Sequence, residues 1–185
     1  MGGVRIPADI DPDDARRRTA LIDDLRTARE RRGLSRKDIA DLLGVTTPNV
    51  HAIEGRTTWQ ASTISRYARA VGHRVEWLLE DLTVPDDDDV MAVIIAAGDT
   101  STPERADRVA WRALCNDLVR IRRATYSAVD MGRIIGIHEN AVHHWEANPD
   151  GSSVIAAQRH ARGLGGRLGW QLHPGAQLVA PRMAS

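Results

Sequence analysis

The sequence predicts a mainly α protein made of two tandem units, each of about four helices followed by a short strand or hairpin. Three observations predict it: an internal repeat, helix-start signals at matching places in the two copies, and a change of hydrophobic period at the end of each. Residues 68–79, ARAVGHRVEWLL, lie over residues 161–172, ARGLGGRLGWQL, matching Ala, Arg, Gly, Arg, Trp and Leu in register at an offset of 93. The same offset carries Leu21, Asp24, Leu25 and Arg29 onto Leu114, Asp117, Leu118 and Arg122. Between these blocks the offset is 92, and Ser35, Gly44, Val50, His51 and Glu54 fall on Ser127, Gly136, Val142, His143 and Glu146. A self-similar period of this size marks a repeated structural unit with its own core.

Each element then follows from local chemistry. Asp11-Pro12-Asp13-Asp14 and Thr102-Pro103-Glu104 combine a capping side chain, proline and first-turn acids, the signature of a helix start. Long first helices are expected to run to about Arg32 and Arg123. Ser35 caps a second helix that carries Ile39, Leu42 and Leu43 on one face and stops at Gly44, the left-handed position favoured at helix ends. Thr47 is the expected cap of a third helix, with Pro48 first and Val50 and Ile53 inward. A fourth spans about Ser62 to Val71. Alternation in Arg74 to Leu79 then reads as a strand, and so does Arg167 to Leu172, with His173-Pro174-Gly175 and Gln177-Leu178-Val179 completing a hairpin.

The domain division expected from these signals is 1–84, an acidic connector 85–101, and 102–185. Residues 85–109 hold seven acids against two arginines, including the solvated run Asp86 to Asp89, whereas Ala110 to Ser185 hold nine arginines against five acids. Spaced ligands and a central glycine, which a calcium loop requires, are missing from the run. VMAVIIA, which follows it, reads as a strand or as a short buried helix.

Hydrophobic residues at 42% with 27% charge, and no apolar run long enough to span a bilayer, describe a globular chain expected in the cytoplasm. Its N-terminus lacks the basic-then-apolar order of a secretory signal. Cys115, the only cysteine, is read as a core thiol.

Two helices joined by a tight turn at a glycine, the second opening with small polar residues, form a helix-turn-helix, whose second helix enters the DNA major groove. SRKDIADLLGVTTPNVHAIEGRTT, residues 35–58, resembles the phage-repressor, or Cro-like, type, and ARAVGHRVEWLL is similar to the tail of many such domains. The resemblance covers residues 21–79 closely and 114–172 more loosely. It implies base contacts by Thr47, Pro48, Asn49 and Ala52, with His51 near the groove edge, and in the second copy by Glu139, Asn140, Ala141 and His144, with His143 beside them. Short side chains there let a helix approach base edges; Asn49 is suited to adenine and Glu139 to a cytosine amino group. The phosphate contacts it implies are Ser35, Arg36, Lys37, Arg56 and Thr57 in the first copy. The second copy departs from this, with Ala128 for Arg36 and Asn148 for Arg56; the contacts implied there are Ser127, Asn148, Ser152 and Ser153, with Arg120 and Arg123 as the cations it leans on instead. Structural ion pairs Arg29 to Glu54 and Arg122 to Glu146 are also implied, each orienting a recognition helix.

Other readings are weaker. Adjacent His143 and His144 diverge on a helix and no HExxH pair is present, so His138, His143, His144, Glu139 and Glu146 are not read as a metal site. GLGGRLGW follows a helix and precedes a strand, the reverse of a dinucleotide-binding loop. Trp77 and Trp170 are assigned a shared packing role, Trp59 the core or its rim, and Arg16-Arg17-Arg18 a solvated face with phosphate contact as the alternative. No catalytic constellation and no cofactor is expected. Two different helices on one chain imply a monomer on an asymmetric double-stranded operator with no membrane partner. The architecture and Arg-rich composition resemble the immunity repressors of temperate mycobacteriophages, which implies repression of lytic genes. The alternatives are a dimer that binds DNA through the first unit only, and an antitoxin-like protein-binding module.

Overall fold

The structure, a computed structural model, describes residues 11–55, 60–84 and 100–175. In chain order these residues form α1 (Pro12–Arg31), α2 (Arg36–Leu43), α3 (Thr47–Glu54), α4 (Ala61–Ala70) and β1 (His73–Glu80), then α5 (Pro103–Thr125), α6 (Ala128–Ile135), α7 (Glu139–Ala147), a 3-10 turn (Pro149–Gly151), α8 (Val154–Gly163) and β2 (Arg167–Pro174). The mainly helical class is thus observed, and the order of four helices and a strand occurs twice.

Local chemistry sets the boundaries. Asp11 Oδ1 accepts from the N–H groups of Asp13 and Asp14 at 2.9 and 3.1 Å, starting α1 with Pro12 in its first position. Ser35 and Asp38 form a reciprocal capping box on α2, and Ser127 and Thr102 cap α6 and α5. Both second helices end at a left-handed glycine, Gly44 at φ 64° and Gly136 at φ 74°. The cap of α3 lies one residue before the expected one: Thr46 occupies it and Pro48 is the second helical residue.

The described residues divide into two compact units, each assembled from non-contiguous stretches. The N-terminal unit comprises Arg16–Glu76 and the described residues from Trp170; the C-terminal unit comprises the described residues up to Ala15 and Trp77–Gly169. In the N-terminal unit Leu21, Ile22, Leu25, Ile39, Val50, Ile64, Tyr67 and Val71 are buried, and Arg32 Nη1 reaches the Ala70 carbonyl. His173 and Pro174, expected to turn a hairpin, belong to β2; the Gly175 N–H donates to the Gly72 carbonyl at 2.9 Å beside β1. β1 and β2 form a two-stranded sheet.

In the C-terminal unit Met131, Ile135 and Val142 form a core cluster against Ala128, Ile137 and Leu164. Trp77 packs edge-on against Trp111 at 5.3 Å between ring centres, and the Trp111 indole donates to the Pro149 carbonyl and to Ser152 Oγ. Buried Asp14 pairs with Arg162, so the first turn of α1 is part of this unit. Cys115 is buried here, as a core thiol should be, and burial pushes its thiol up to about 12.

Residues 85–99, with the acidic run and VMAVIIA, and Gln177 to Val179 lie outside the described residues, as do Arg56, Thr57 and Trp59. Among the described residues no helix is long and apolar enough to cross a membrane.

Candidate nucleic-acid interface

In the N-terminal unit the turn between α2 and α3 is closed by the Val45 N–H on the Ala40 carbonyl at 3.0 Å. Beyond it α3 buries Val50, Ile53 and Glu54 and exposes Thr47, Pro48, Asn49 and His51, with Ala52 half-buried. The exposed side of its first turn therefore carries short, uncharged side chains. A cleft of about 230 Å³ runs alongside, lined by Asn49, Ala52, Thr63 and Arg66, among others. Arg66, on the outer face of α4, donates to the Leu43 carbonyl at 2.6 Å and was not singled out by sequence, although it is one of two arginines on that helix.

The back of α3 is held by one carboxylate. Glu54 is buried; its Oε1 accepts from Arg29 Nε on α1 at 2.7 Å and from the Tyr67 hydroxyl on α4 at 2.7 Å, and its Oε2 accepts from Arg36 Nε on α2 at 2.6 Å. Burial alone would raise the Glu54 carboxyl, but the bonds from Tyr67, Arg36 and Arg29 outweigh it and hold it below the ordinary glutamate range. Burial and the bond to Glu54 raise Tyr67, which stays neutral. Ser35 spends its hydroxyl on Asp38 and Lys37 pairs with Asp41 at 2.8 Å, both exposed.

The C-terminal unit places the corresponding residues on α7. The turn is closed by the Ile137 N–H on the Gly132 carbonyl at 2.9 Å, and a Cβ at Gly132 would come within 2.7 Å of the Ile137 carbonyl oxygen, so only glycine fits there. Asn140, Ala141, His143 and His144 are exposed and Glu139 is half-buried, while Val142 and Trp145 face the core. Arg122 makes a two-pronged contact with Glu146, Nε at 2.8 Å and Nη2 at 2.6 Å. His138 caps the helix through Nδ1, which accepts from the Asn140 N–H at 3.2 Å.

Several expected phosphate ligands are otherwise engaged. Ser152 is buried; its hydroxyl accepts from Trp111 and donates to the Pro149 carbonyl at 2.7 Å, which leaves it no face for a phosphate. Ser153 Oγ caps α8, Ser127 Oγ bonds to Asp130, and Asn148 Nδ2 donates to the His144 carbonyl. Arg120 lies beside Asp117, and Arg123 is exposed. Arg18 is buried, so Arg16-Arg17-Arg18 is not one solvated face. No group of three or more metal-ligating side chains occurs among the described residues.

This geometry, a capped helix, a left-handed glycine turn and a second helix with a polar exposed first turn, agrees with comparison to known families: residues 21–78 match the family model described as a helix-turn-helix domain. Over that stretch the chain is similar to helix-turn-helix domains. In helix-turn-helix domains the second helix of the pair is the one that enters the DNA major groove, and α3 stands second here. The helix-turn-helix match stops before α5. No curated protein and no solved structure matches the chain.

Proposed function

We propose that the protein is a sequence-specific transcriptional repressor that grips an asymmetric double-stranded operator as a monomer, α3 reading one half-site and α7 the other. The observation that carries this reading is the recurrence, behind α7, of the device found behind α3: a turn closed at a left-handed glycine, an exposed first turn, and a buried Arg–Glu pair at the far end. The readers differ, Thr47-Pro48-Asn49 against Glu139-Asn140-Ala141, so their preferred sequences differ. Residues 1–84 and 102–185 are in this view two copies of one ancestral unit. Phosphate contacts fall to Arg36, Lys37, Arg56 and Thr57 in the first copy. In the second they fall to Arg123 and to the helix starts at Ser127 and Ser153. The resemblance to mycobacteriophage immunity repressors makes lytic promoters the targets.

A second reading has one observation in its favour. Ala128 and Val129 stand where the first copy has Arg36 and Lys37, and Val129 and Ile134 are each 48% exposed, a surface suited to protein contact, so that only the N-terminal unit would bind DNA. Selection of binding sites from random duplexes, with light scattering of the complex, separates the two. A bipartite, non-palindromic consensus holding one chain per duplex is expected. A palindromic consensus holding two chains would favour dimerisation through the second copy, and no enrichment at all would point to an antitoxin-like protein binder.

A further inference from the structure

We propose that Arg36 is a specificity-determining positioning residue, which seats α3 through Glu54 with the same side chain that meets the DNA backbone. The proposal rests on the reading that α3 enters the groove. Arg36 opens α2, the helix before the reader, and its side chain is 43% exposed although its Nε is committed to Glu54 Oε2 at 2.6 Å. That bond is the one it makes among the described residues, so both Nη nitrogens remain for an outside acceptor. Glu54 is the last residue of α3, and its other oxygen is already filled by Arg29 and Tyr67. One buried carboxylate therefore ties α3 to α1, α2 and α4, and of its three donors only Arg36 extends to the surface. An anion held by the Nη groups would fix the guanidinium plane and, through Nε, the end of the reader. Phosphate engagement and base reading are thereby coupled in the N-terminal unit. The C-terminal unit has alanine at the matching position, Ala128, and both Glu146 oxygens belong to Arg122.

Glutamine offers a clean dissection, because its Nε2 stands at the same place along the side chain as arginine Nε but lacks the charge and the two Nη groups. Arg36→Gln and Arg36→Ala in the full chain are compared with the wild type on the selected operator and on a scrambled duplex over a range of salt. Arg36→Gln should keep the operator preference and lower the slope of log affinity against log salt by about one. Arg36→Ala should lower the slope equally and also reduce the operator preference about tenfold. Gln and Ala variants that lose slope alike and keep the wild-type preference would reduce Arg36 to a plain phosphate contact and overturn the proposal. A wild type with no operator preference would instead remove the DNA-reading role beneath it. Thermal unfolding of both variants at the wild-type midpoint confirms that the comparison concerns folded proteins; a fall in midpoint for Ala alone, with preference intact, also counts against it.

Discussion

The two units hold equivalent helices by different means. Behind α3 a polar hub does the work, with Glu54 receiving Arg29, Arg36 and Tyr67. Behind α7 Glu146 has Arg122 alone among the described residues, and the positions aligned with Ile53 and Tyr67 hold Trp145 and His160, stacked at 3.8 Å and 17°. Gly132, aligned in sequence with Ala40, packs against the turn backbone. A scaffold of this kind requires only that the third helix be fixed from behind; a hydrogen-bonded carboxylate shared by four helices and an aromatic stack backed by one ion pair both meet that requirement.

The largest effect should come from breaking the simpler arrangement. Arg122→Ala leaves the buried Glu146 carboxylate without its donor, which typically costs about 3–5 kcal/mol. Arg29→Ala leaves Glu54 with Arg36 and Tyr67 and should cost less. Because the units need not unfold together, hydrogen exchange of the α7 and α3 amides is the suitable measure. Equal loss of protection in the two helices would show that the extra donors on Glu54 add nothing.

Next in size is a pH effect confined to the C-terminal unit. His160 is buried, its Nδ1 lies 2.8 Å from the Ala156 carbonyl and its Nε2 has no partner; burial lowers it from 6.5 to about 4, against the opposing pull of that carbonyl and of Glu146. The unfolded chain therefore binds the extra proton between these values. Stability is full above pH 6.5, is lost as pH falls toward 4, and amounts to roughly 3 kcal/mol by linkage. Glu54 is also depressed, so its contribution is fully present above the ordinary glutamate range and is lost only as pH falls through and below it, and Tyr67 stays neutral throughout. Between pH 6.5 and 5 the C-terminal unit should weaken while the N-terminal unit does not. His160→Phe, which keeps a ring on Trp145, should flatten the profile; an unchanged profile would place the proton elsewhere.

What was legible in the sequence follows from the range of each interaction. Asp11, Ser35, Gly44 and Gly136 act on backbone groups a few residues away, so their roles could be read directly. The cap of α3 could not be fixed to a residue, because Thr46 and Thr47 offer the same hydroxyl one position apart. Alternation identified β1 and β2 as strands but says which face is inward, not which strand is the neighbour, and so their mutual pairing was not foreseen. Ser152 is a phosphate contact in the sequence reading; it is buried, and the Trp111 indole takes it as an acceptor in the core. The Arg36 and Tyr67 bonds to Glu54 required three helices to be in place first. Laying Ile53 and Tyr67 over Trp145 and His160 would have revealed the exchange of a polar contact for a stack.

The smallest expected effect concerns how α3 and α7 start. Thr46 has the backbone of a helix cap, φ −86° and ψ 154°, but its side chain makes no cap bond, whereas His138 accepts from the Asn140 N–H through Nδ1. Replacing a cap by alanine costs about 1 kcal/mol when the side-chain bond exists and leaves an orphan N–H behind. His138→Ala should therefore lower the protection of Asn140 by that amount, leaving Ala141, whose N–H reaches the His138 carbonyl at 2.9 Å, nearly unchanged; Thr46→Ala should spare both Asn49 and Val50, since their N–H groups already reach the Thr46 carbonyl at 3.0 and 3.3 Å. Comparable losses at both starts would mean that the threonine hydroxyl closes on the helix in solution, and that the two helices begin alike.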